Sequence, residues 1–290
     1  MPSSKPSRRR AGAKALRAWY APRRGAYPWR ETRDPYAIWV SEVMLQQTQA
    51  SRVVRAYRDF VARFPTVRAL AVASRRDVVR AWDGLGYNRR AVWLSEGARA
   101  IVREHAGRVP RDPETLRTLP GVGPYTAAAV ASMAFGEPVA VVDTNVRRVV
   151  ARVHLGVDGR HAPTQRLWEL AQAWLDHDDP VSWNQVVMDL GREVCRPRPR
   201  CDVCPLARVC AFRTSGAVAT RPPRGKDAFE GSSRQVRGAI VRTLRSRRSL
   251  SPKRLTAETG FAAERVDVAV DRLAADGLVE RSGGRVRLAT

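Results

Sequence analysis

All four cysteines of the chain lie within sixteen residues: Cys195, Cys201, Cys204 and Cys210 in "CRPRPRCDVCPLARVC". No other feature restricts the fold as much. Four thiols on one short loop can surround a single centre, and the elements flanking the loop must then converge on it. Inside a cell disulfides would be reduced, so the clustering argues for a metal. Zinc and a [4Fe-4S] cluster both remain open. Zinc usually takes two close pairs, whereas only Cys201 and Cys204 form a Cys-x-x-Cys pair, and Pro205 follows them as in many cluster loops. Nothing else in the sequence suggests electron transfer, so the centre reads as a clamp on its loop.

Around that loop the patterning is helical. Asp34-Pro35 reads as an N-cap followed by proline at the first helical position. The stretches "RDVVRAW", "AVWLSEGARAIVREH" and "TQRLWELAQAWLDH" repeat apolar residues every three or four positions. A mainly α fold is expected, with residues 15–213 as one domain that includes the cysteine loop. Residues 1–14 carry five basic and no acidic residues, and are expected to form a disordered basic tail. Residues 214–233, "TSGAVATRPPRGKDAFEGSS", read as a linker. Beyond it, residues 234–290 show three short helical patterns and then "LVERSGGRVRL", two short strands around Gly283-Gly284. Three helices and a basic hairpin make a winged-helix-like module, and Arg281, Arg285 and Arg287 in the wing suit contact with DNA.

Lysine and arginine outnumber aspartate and glutamate by 52 to 28, a net charge of +24. GC-rich codons account for arginine in place of lysine, but not for a surplus of that size, which suits a polyanion such as nucleic acid. With no apolar run near about eighteen residues and no signal-like N-terminus, the chain is expected to be soluble, cytoplasmic and nucleoid-associated, with no membrane partner. Nothing suggests an obligate oligomer, so a monomer is expected.

Three segments carry residues suited to chemistry. In "SEVMLQQTQ", residues 41–49, Glu42 shares a helical face with Ile38 and Leu45, while Gln46 and Gln47 continue the face of Trp39 and Val43. A partly desolvated glutamate can hold a proton at neutral pH and act as a general acid. In "LPGVGPYTAAAV", Gly121-Val122-Gly123 forms a turn before a helix, where backbone N–H groups can approach a phosphate. In "VVDTNVRRVVARV", Asp143 precedes a helix and reads as its N-cap. Aimed at a cleft, such a carboxylate can also stabilise positive charge on a sugar.

Together with "GLGYNRRA", "NQVVMDLG" and the cysteine loop, these segments resemble the helix-hairpin-helix DNA glycosylases of the endonuclease III superfamily, and within it the MutY-type adenine glycosylases. The resemblance covers about residues 25–213. It implies two helical lobes, a DNA-binding hairpin, a flipped base and a [4Fe-4S] cluster on the four cysteines. It implies that Glu42 protonates adenine N7 and that Asp143 stabilises an oxocarbenium-like sugar, assisted by Asn145 and Tyr125. Trp29, Arg30 and Gln185 would line the adenine pocket. Gln47, Thr48, Leu85 and Tyr87 would face the opposite base, with Tyr87 wedging into the stack. The implied substrate is double-stranded DNA carrying A·8-oxoG or A·G mispairs.

Bifunctional relatives cut the strand with a hairpin lysine. Here that position is Tyr125, and no lysine occurs from residue 15 to 225, so a monofunctional enzyme is expected. Three features depart from the family pattern. The first cysteine spacing is one residue short, Asn88 stands where many relatives have a second tyrosine, and the residues after Arg213 do not read as the Nudix-like domain usual in the family. Two other readings are a same-fold glycosylase acting on thymine or uracil opposite guanine, and a winged-helix regulator with an iron–sulfur sensor. N7 protonation suits only a purine, and the regulator leaves Glu42 and Asp143 without a task.

Overall fold

The computed structural model describes residues 6–23, 27–219 and 229–290. It is mainly helical. In chain order the helices are α1 (Pro6–Tyr20), α2 (Pro35–Leu45), α3 (Ala50–Arg63), α4 (Val67–Val72), α5 (Arg75–Ala81), α6 (Arg89–Glu104), α7 (Pro113–Arg117) and α8 (Pro124–Phe135). There follow α9 (Thr144–Val150), α10 (Thr164–Trp174), α11 (Pro180–Glu193), α12 (Ala211–Thr214), α13 (Ser233–Arg245), α14 (Pro252–Thr259) and α15 (Ala263–Ala275). Strands β1 (Val279–Ser282) and β2 (Arg285–Leu288) form an antiparallel hairpin. Its two-residue turn is Gly283-Gly284, both at positive φ, as a primed turn requires. Among the described residues no helix is long and apolar enough to cross a membrane.

Local signals explain where the helices begin. The Asp34 side chain accepts a hydrogen bond from the Tyr36 N–H with Pro35 at the first position of α2, and Ser251 and Pro252 open α14 in the same way. Such caps satisfy amides that the helix itself leaves unpaired. Gly260 ends α14 at a φ of 72°, in the left-handed region.

The chain divides into two compact units. One comprises Met1–Arg33 with Pro124–Gly225, the other Asp34–Gly123 with Lys226–Thr290. The first has a core of Leu16, Tyr20, Val146, Val149, Leu167, Trp183, Val186 and Leu190, contributed mainly by α1, α9, α10 and α11. In the second, Trp39, Phe60, Trp82, Leu94 and Ile101 are fully buried, with Phe60 edge-on to Trp82 at 5.9 Å. Gly97 lets α6 approach α2, because a Cβ there would stand 2.7 Å from the Trp39 ring.

Two sequence expectations require correction. Residues 6–14 are not a disordered tail but the first part of α1, whose Leu16 and Tyr20 are buried in the core; residues 1–5 lie outside the described residues. Of the expected linker 214–233, Thr214 ends α12, Ser233 opens α13, and residues 220–228 lie outside the described residues.

Candidate active site

Glu42 lies in the second half of α2 at 3% exposure, with Ile38, Trp39, Val40, Val43 and Met44 buried around it on the same helix. The helix does not run through "SEVMLQQTQ". It stops at Leu45, Gln47 turns into the left-handed region at a φ of 55°, and α3 opens after Gln49. The cause is Arg90, 3% exposed, whose guanidinium takes the carbonyl oxygens of Val43 at 2.9 Å, Met44 at 2.8 Å and Gln46 at 2.6 Å. A cation here satisfies acceptors that the end of α2 leaves open, and it meets the negative end of the helix dipole.

The same guanidinium donates to Thr48 Oγ1 at 3.0 Å and to the carbonyls of Leu85 at 3.3 Å and Gly86 at 3.1 Å. Two segments, 46–48 and 84–88, are thereby tied to one side chain. Both are backbone-strained: Gln47 and Tyr87 adopt positive φ without being glycine, and Gly84 and Gly86 flank the second turn at positive φ. Gln47 and Tyr87 are exposed, Tyr87 by 49%. Of the other two residues expected to face the opposite base, Thr48 is engaged by Arg90 and Leu85 is buried at 3%. Burial pulls the Arg90 pKa down to about 10, which still leaves the group cationic at neutral pH.

In the turn before α8, Gly121 has a φ of 74°, and a Cβ there would meet Trp93 Cβ at 2.8 Å. The fold therefore requires it. Gly123 has no such constraint: it is exposed, and a Cβ would have nothing within 4 Å. Val122 is buried and holds the turn to the unit's core. An open, side-chain-free backbone at this point suits approach by a phosphate.

Asp143 is the N-cap of α9, as its position before "TNVRRVV" implies. Its Oδ1 accepts the Val146 N–H at 2.6 Å, and its Oδ2 accepts Asn145 Nδ2 at 2.8 Å. Asn145 Oδ1 in turn accepts Arg148 Nη2 at 2.9 Å, and Arg148 also donates to the carbonyls of Gly191 at 2.7 Å and Cys195 at 2.6 Å. The carboxylate is thus one end of a chain that reaches the cysteine loop. Burial pushes the Asp143 pKa up, against the lowering influence of the Val146 and Asn145 hydrogen bonds and the Arg148 charge.

The approach to Asp143 is held by two amide side chains. Asn184 accepts the Val141 N–H and donates to Val139 O and Ser132 Oγ, each at 2.9 Å, while Gln172 bonds Ala140 N–H and Pro138 O at 2.8 Å. Extended backbone with no neighbouring strand must find such partners. Gly191 completes the support, since a Cβ there would stand 2.7 Å from Asn145 Cβ and 2.9 Å from its carbonyl oxygen. Two residues of "NQVVMDLG", Asn184 and Gly191, therefore support the backbone around Asp143.

Asp189 explains Arg30. Its buried carboxylate takes both Arg30 guanidinium nitrogens, at 2.8 and 3.0 Å, and also pairs with Arg192 at 3.1 Å. Arg30 is thus committed to fixing the Pro28–Arg30 turn on α11. Beside it Trp29 is buried and stacks on Tyr27 with ring centroids 5.0 Å apart. Gln185 Oε1 accepts the Tyr20 hydroxyl at 2.9 Å. Tyr125, half-buried, packs against Ala128, Ala129 and Val141.

The four cysteines line one cavity together with Val149, Arg152, Leu190, Leu206 and Phe212. Among the described residues no three His, Cys, Asp or Glu side chains stand at ready-made ligating spacing. The surroundings nonetheless fit a thiolate-bound group. Burial pushes the Cys195, Cys204 and Cys210 thiols up, Cys204 to about 11, so without a positive centre they are protonated. Arg152 supplies nearby positive charge, with Nη1 3.6 Å from Cys195 Sγ, and it holds the loop through the carbonyls of Arg196 and Pro197. Its own charge is balanced by Asp158 at 2.9 Å.

Residues 40–174 match the family described as HhH-GPD superfamily base excision DNA repair protein. Over 278 residues the chain is 46% identical to the adenine DNA glycosylase of Mycobacterium tuberculosis, covering 92% of this chain and 90% of that protein. The chain belongs to the adenine DNA glycosylases. The human adenine DNA glycosylase is also 46% identical, over 211 residues that make up 69% of this chain and 39% of the human protein. Among solved structures, a thermostable thymine-DNA glycosylase superposes with a TM-score of 0.68 at 31% identity, over 72% of this chain and 98% of the other.

For an adenine glycosylase, the most informative residues that sequence reading passed over are Arg90 and Asp189. Both stand inside motifs that carry the family resemblance, "GLGYNRRA" and "NQVVMDLG". A charged residue on the apolar face of an amphipathic helix was the available signal. Arg90 falls in register with Trp93, Leu94 and Gly97, and Asp189 with Val186 and Leu190.

Proposed function

We propose that this adenine glycosylase acts on adenine opposite 8-oxoguanine or guanine in double-stranded DNA and is monofunctional, releasing the base and leaving an abasic site. The observation that carries the catalytic part is Asp143, a capped carboxylate tied down by one backbone and one side-chain hydrogen bond. Breaking the C1′–N9 bond sends the bonding electrons to the base and leaves positive charge on the sugar. A fixed carboxylate stabilises that charge without reorganising. Glu42 donates the proton to N7, so adenine departs neutral, and water completes the sugar at C1′. The absence of lysine between residues 15 and 225 supports hydrolysis without a Schiff base. The strained, exposed Gln47 and Tyr87 support recognition of the opposite base and of the opened stack.

Cys195, Cys201, Cys204 and Cys210 would hold a [4Fe-4S] cluster. When bound it would fasten the loop whose Cys195 carbonyl Arg148 grips, and Arg148 in turn orients Asn145 against Asp143.

Single-turnover reactions on A·8-oxoG, A·G, T·G and U·G duplexes test this reading. Adenine release from the first two, with alkali-labile product and no borohydride-trapped adduct, is the expected result. Release of thymine or uracil alone would overturn it, and the structural relative is named for thymine.

The acid limb of the pH profile supplies a second check. Activity that needs Asp143 ionised is lost as pH falls through its pKa, which lies above the ordinary aspartate value. Asn145→Leu removes a hydrogen bond that lowers that pKa, so the limb is expected to move toward neutral pH. A limb that stays in place in this variant would show that Asn145 does not act on Asp143.

A further inference from the structure

The elements α13 to β2 were expected to read DNA through a basic wing, but the three arginines of that wing are engaged inside the module. Arg281 is paired with Asp267 at 3.2 Å and Asp271 at 3.0 Å, Arg287 pairs with Glu280, and Arg285 donates to Ser249 Oγ at 2.7 Å and to its carbonyl at 3.0 Å. Helix α15, placed where a winged helix carries its recognition helix, bears Glu264, Asp267 and Asp271 against Arg265 and Arg272, and Asp276 follows it. Such a face does not attract phosphates.

The contacts of the module lead instead to α5 and the turn after it, within the same compact unit. Arg245 closes α13, and its side chain is only 14% exposed. Its Nε donates to Val79 O at 3.1 Å, its Nη2 to Trp82 O at 3.3 Å, and its Nη1 pairs with Asp83. A second bond from Nη2 reaches Asn88 Oδ1 at 3.1 Å. Arg80 returns a bond to the Arg245 carbonyl at 2.9 Å, and Arg89 pairs with Asp276 at 3.0 Å.

Asn88 gives these contacts their meaning. It precedes α6 at the N-cap position, where asparagine ordinarily accepts a hydrogen bond from the first turn, yet its side chain makes no capping bond. Its oxygen faces Arg245 instead. Between Asp83 and Asn88 lie Gly84, Leu85, Gly86 and Tyr87, three of them at positive φ. Arg90 holds this turn by the carbonyls of Leu85 and Gly86, and Arg245 holds both of its ends.

We propose that Arg245 is a positioning residue through which the C-terminal module fixes the Gly84–Asn88 turn, and so sets discrimination of the base opposite adenine. The proposal rests on the reading that Tyr87 meets the opened stack. A turn with this much backbone strain keeps its shape only when its surroundings over-determine it. Releasing one end leaves Tyr87 several conformations and blunts the difference between opposite bases, while the groups that cleave adenine stay intact. The module is then a brace for specificity, and Asn88 is the residue through which the brace is felt.

The test uses the full-length protein and four variants: Arg245→Met, Arg245→Lys, Asn88→Ala and Arg281→Ala. The readout is the ratio of single-turnover adenine release from A·8-oxoG and A·G duplexes, with thermal unfolding alongside. Arg245→Met and Asn88→Ala are expected to lower that ratio about tenfold, the worth of one hydrogen bond to a charged group. Arg245→Lys is expected to restore part of it, and Arg281→Ala to leave it unchanged. Equal loss on both duplexes in Arg245→Met and Asn88→Ala, or an unchanged ratio, would overturn the proposal. So would a drop in affinity for every duplex in Arg281→Ala, because that places the wing on DNA. A wild-type protein that releases no adenine from either duplex would remove the reading beneath the proposal. Wild-type release with an unchanged ratio in the variants would remove the role of Arg245 alone.

Discussion

Glu42→Gln is expected to bind an A·8-oxoG duplex about as tightly as the wild-type protein and to release adenine about 10²- to 10⁴-fold more slowly, the range for loss of a general acid. Glutamine keeps the length and one carbonyl oxygen of the side chain, so packing in the buried half of α2 is preserved. What it lacks is the ionisable proton. Without protonation at N7, adenine leaves as an anion, and cleavage depends on charge stabilisation at the sugar alone. Binding is expected to draw on other groups, including the open Gly123 backbone and the wider positive charge. Gel-shift affinity and single-turnover rate, measured on the same preparation, separate the two effects. A variant rate within about threefold of wild type would exclude Glu42 as the proton donor, because general acids contribute at least about 10²-fold.

The sequence disclosed those features whose cause is local. Asp34-Pro35, Ser251-Pro252 and Asp143 sit where their own side chains satisfy nearby amides, and each caps the helix that its spelling implies. The end of α2 was not legible. Nothing in "SEVMLQQTQ" announces that the helix stops at Leu45, because the side chain that takes its last carbonyls comes from Arg90, more than forty residues later. Arg30 shows the same limit: its neighbourhood suggests a base pocket, but its partner Asp189 is distant in sequence and buried. The expected tail failed for a different reason. Charge density in residues 1–14 pointed to disorder, while Leu16 and Tyr20, just beyond, supply the apolar anchors that make α1 part of a core.

These cases revise the meaning of the net charge. A surplus of +24 does suit a polyanionic partner, but Arg90, Arg148, Arg152 and Arg245 spend their donors largely on backbone carbonyls inside the protein. Each satisfies acceptors that irregular backbone leaves open, in places where lysine, with one compact ammonium, reaches fewer of them. The arginine count therefore overstates the charge available to DNA, and part of the near-absence of lysine has a structural use.

Arg90→Met carries the largest expected structural effect. Methionine retains much of the arginine stem and removes every donor, leaving the carbonyls of Val43, Met44, Gln46, Leu85 and Gly86 without their shared partner. A buried acceptor left unpaired costs about 1–3 kcal/mol, and entering water or local opening recovers part of that, so a net loss of about 3 kcal/mol is expected. The loss falls first on the two strained segments, because their backbone at Gln47 and Tyr87 is the part that needs external support. Amide hydrogen exchange across residues 43–48 and 85–90 is accordingly expected to accelerate about a hundredfold, ahead of global unfolding. Arg90→Lys should fall between the two, since one ammonium cannot span both segments. If exchange in these segments matches the wild type, then Gln47 and Tyr87 hold their conformations without Arg90, and the helix end at Leu45 must have another cause.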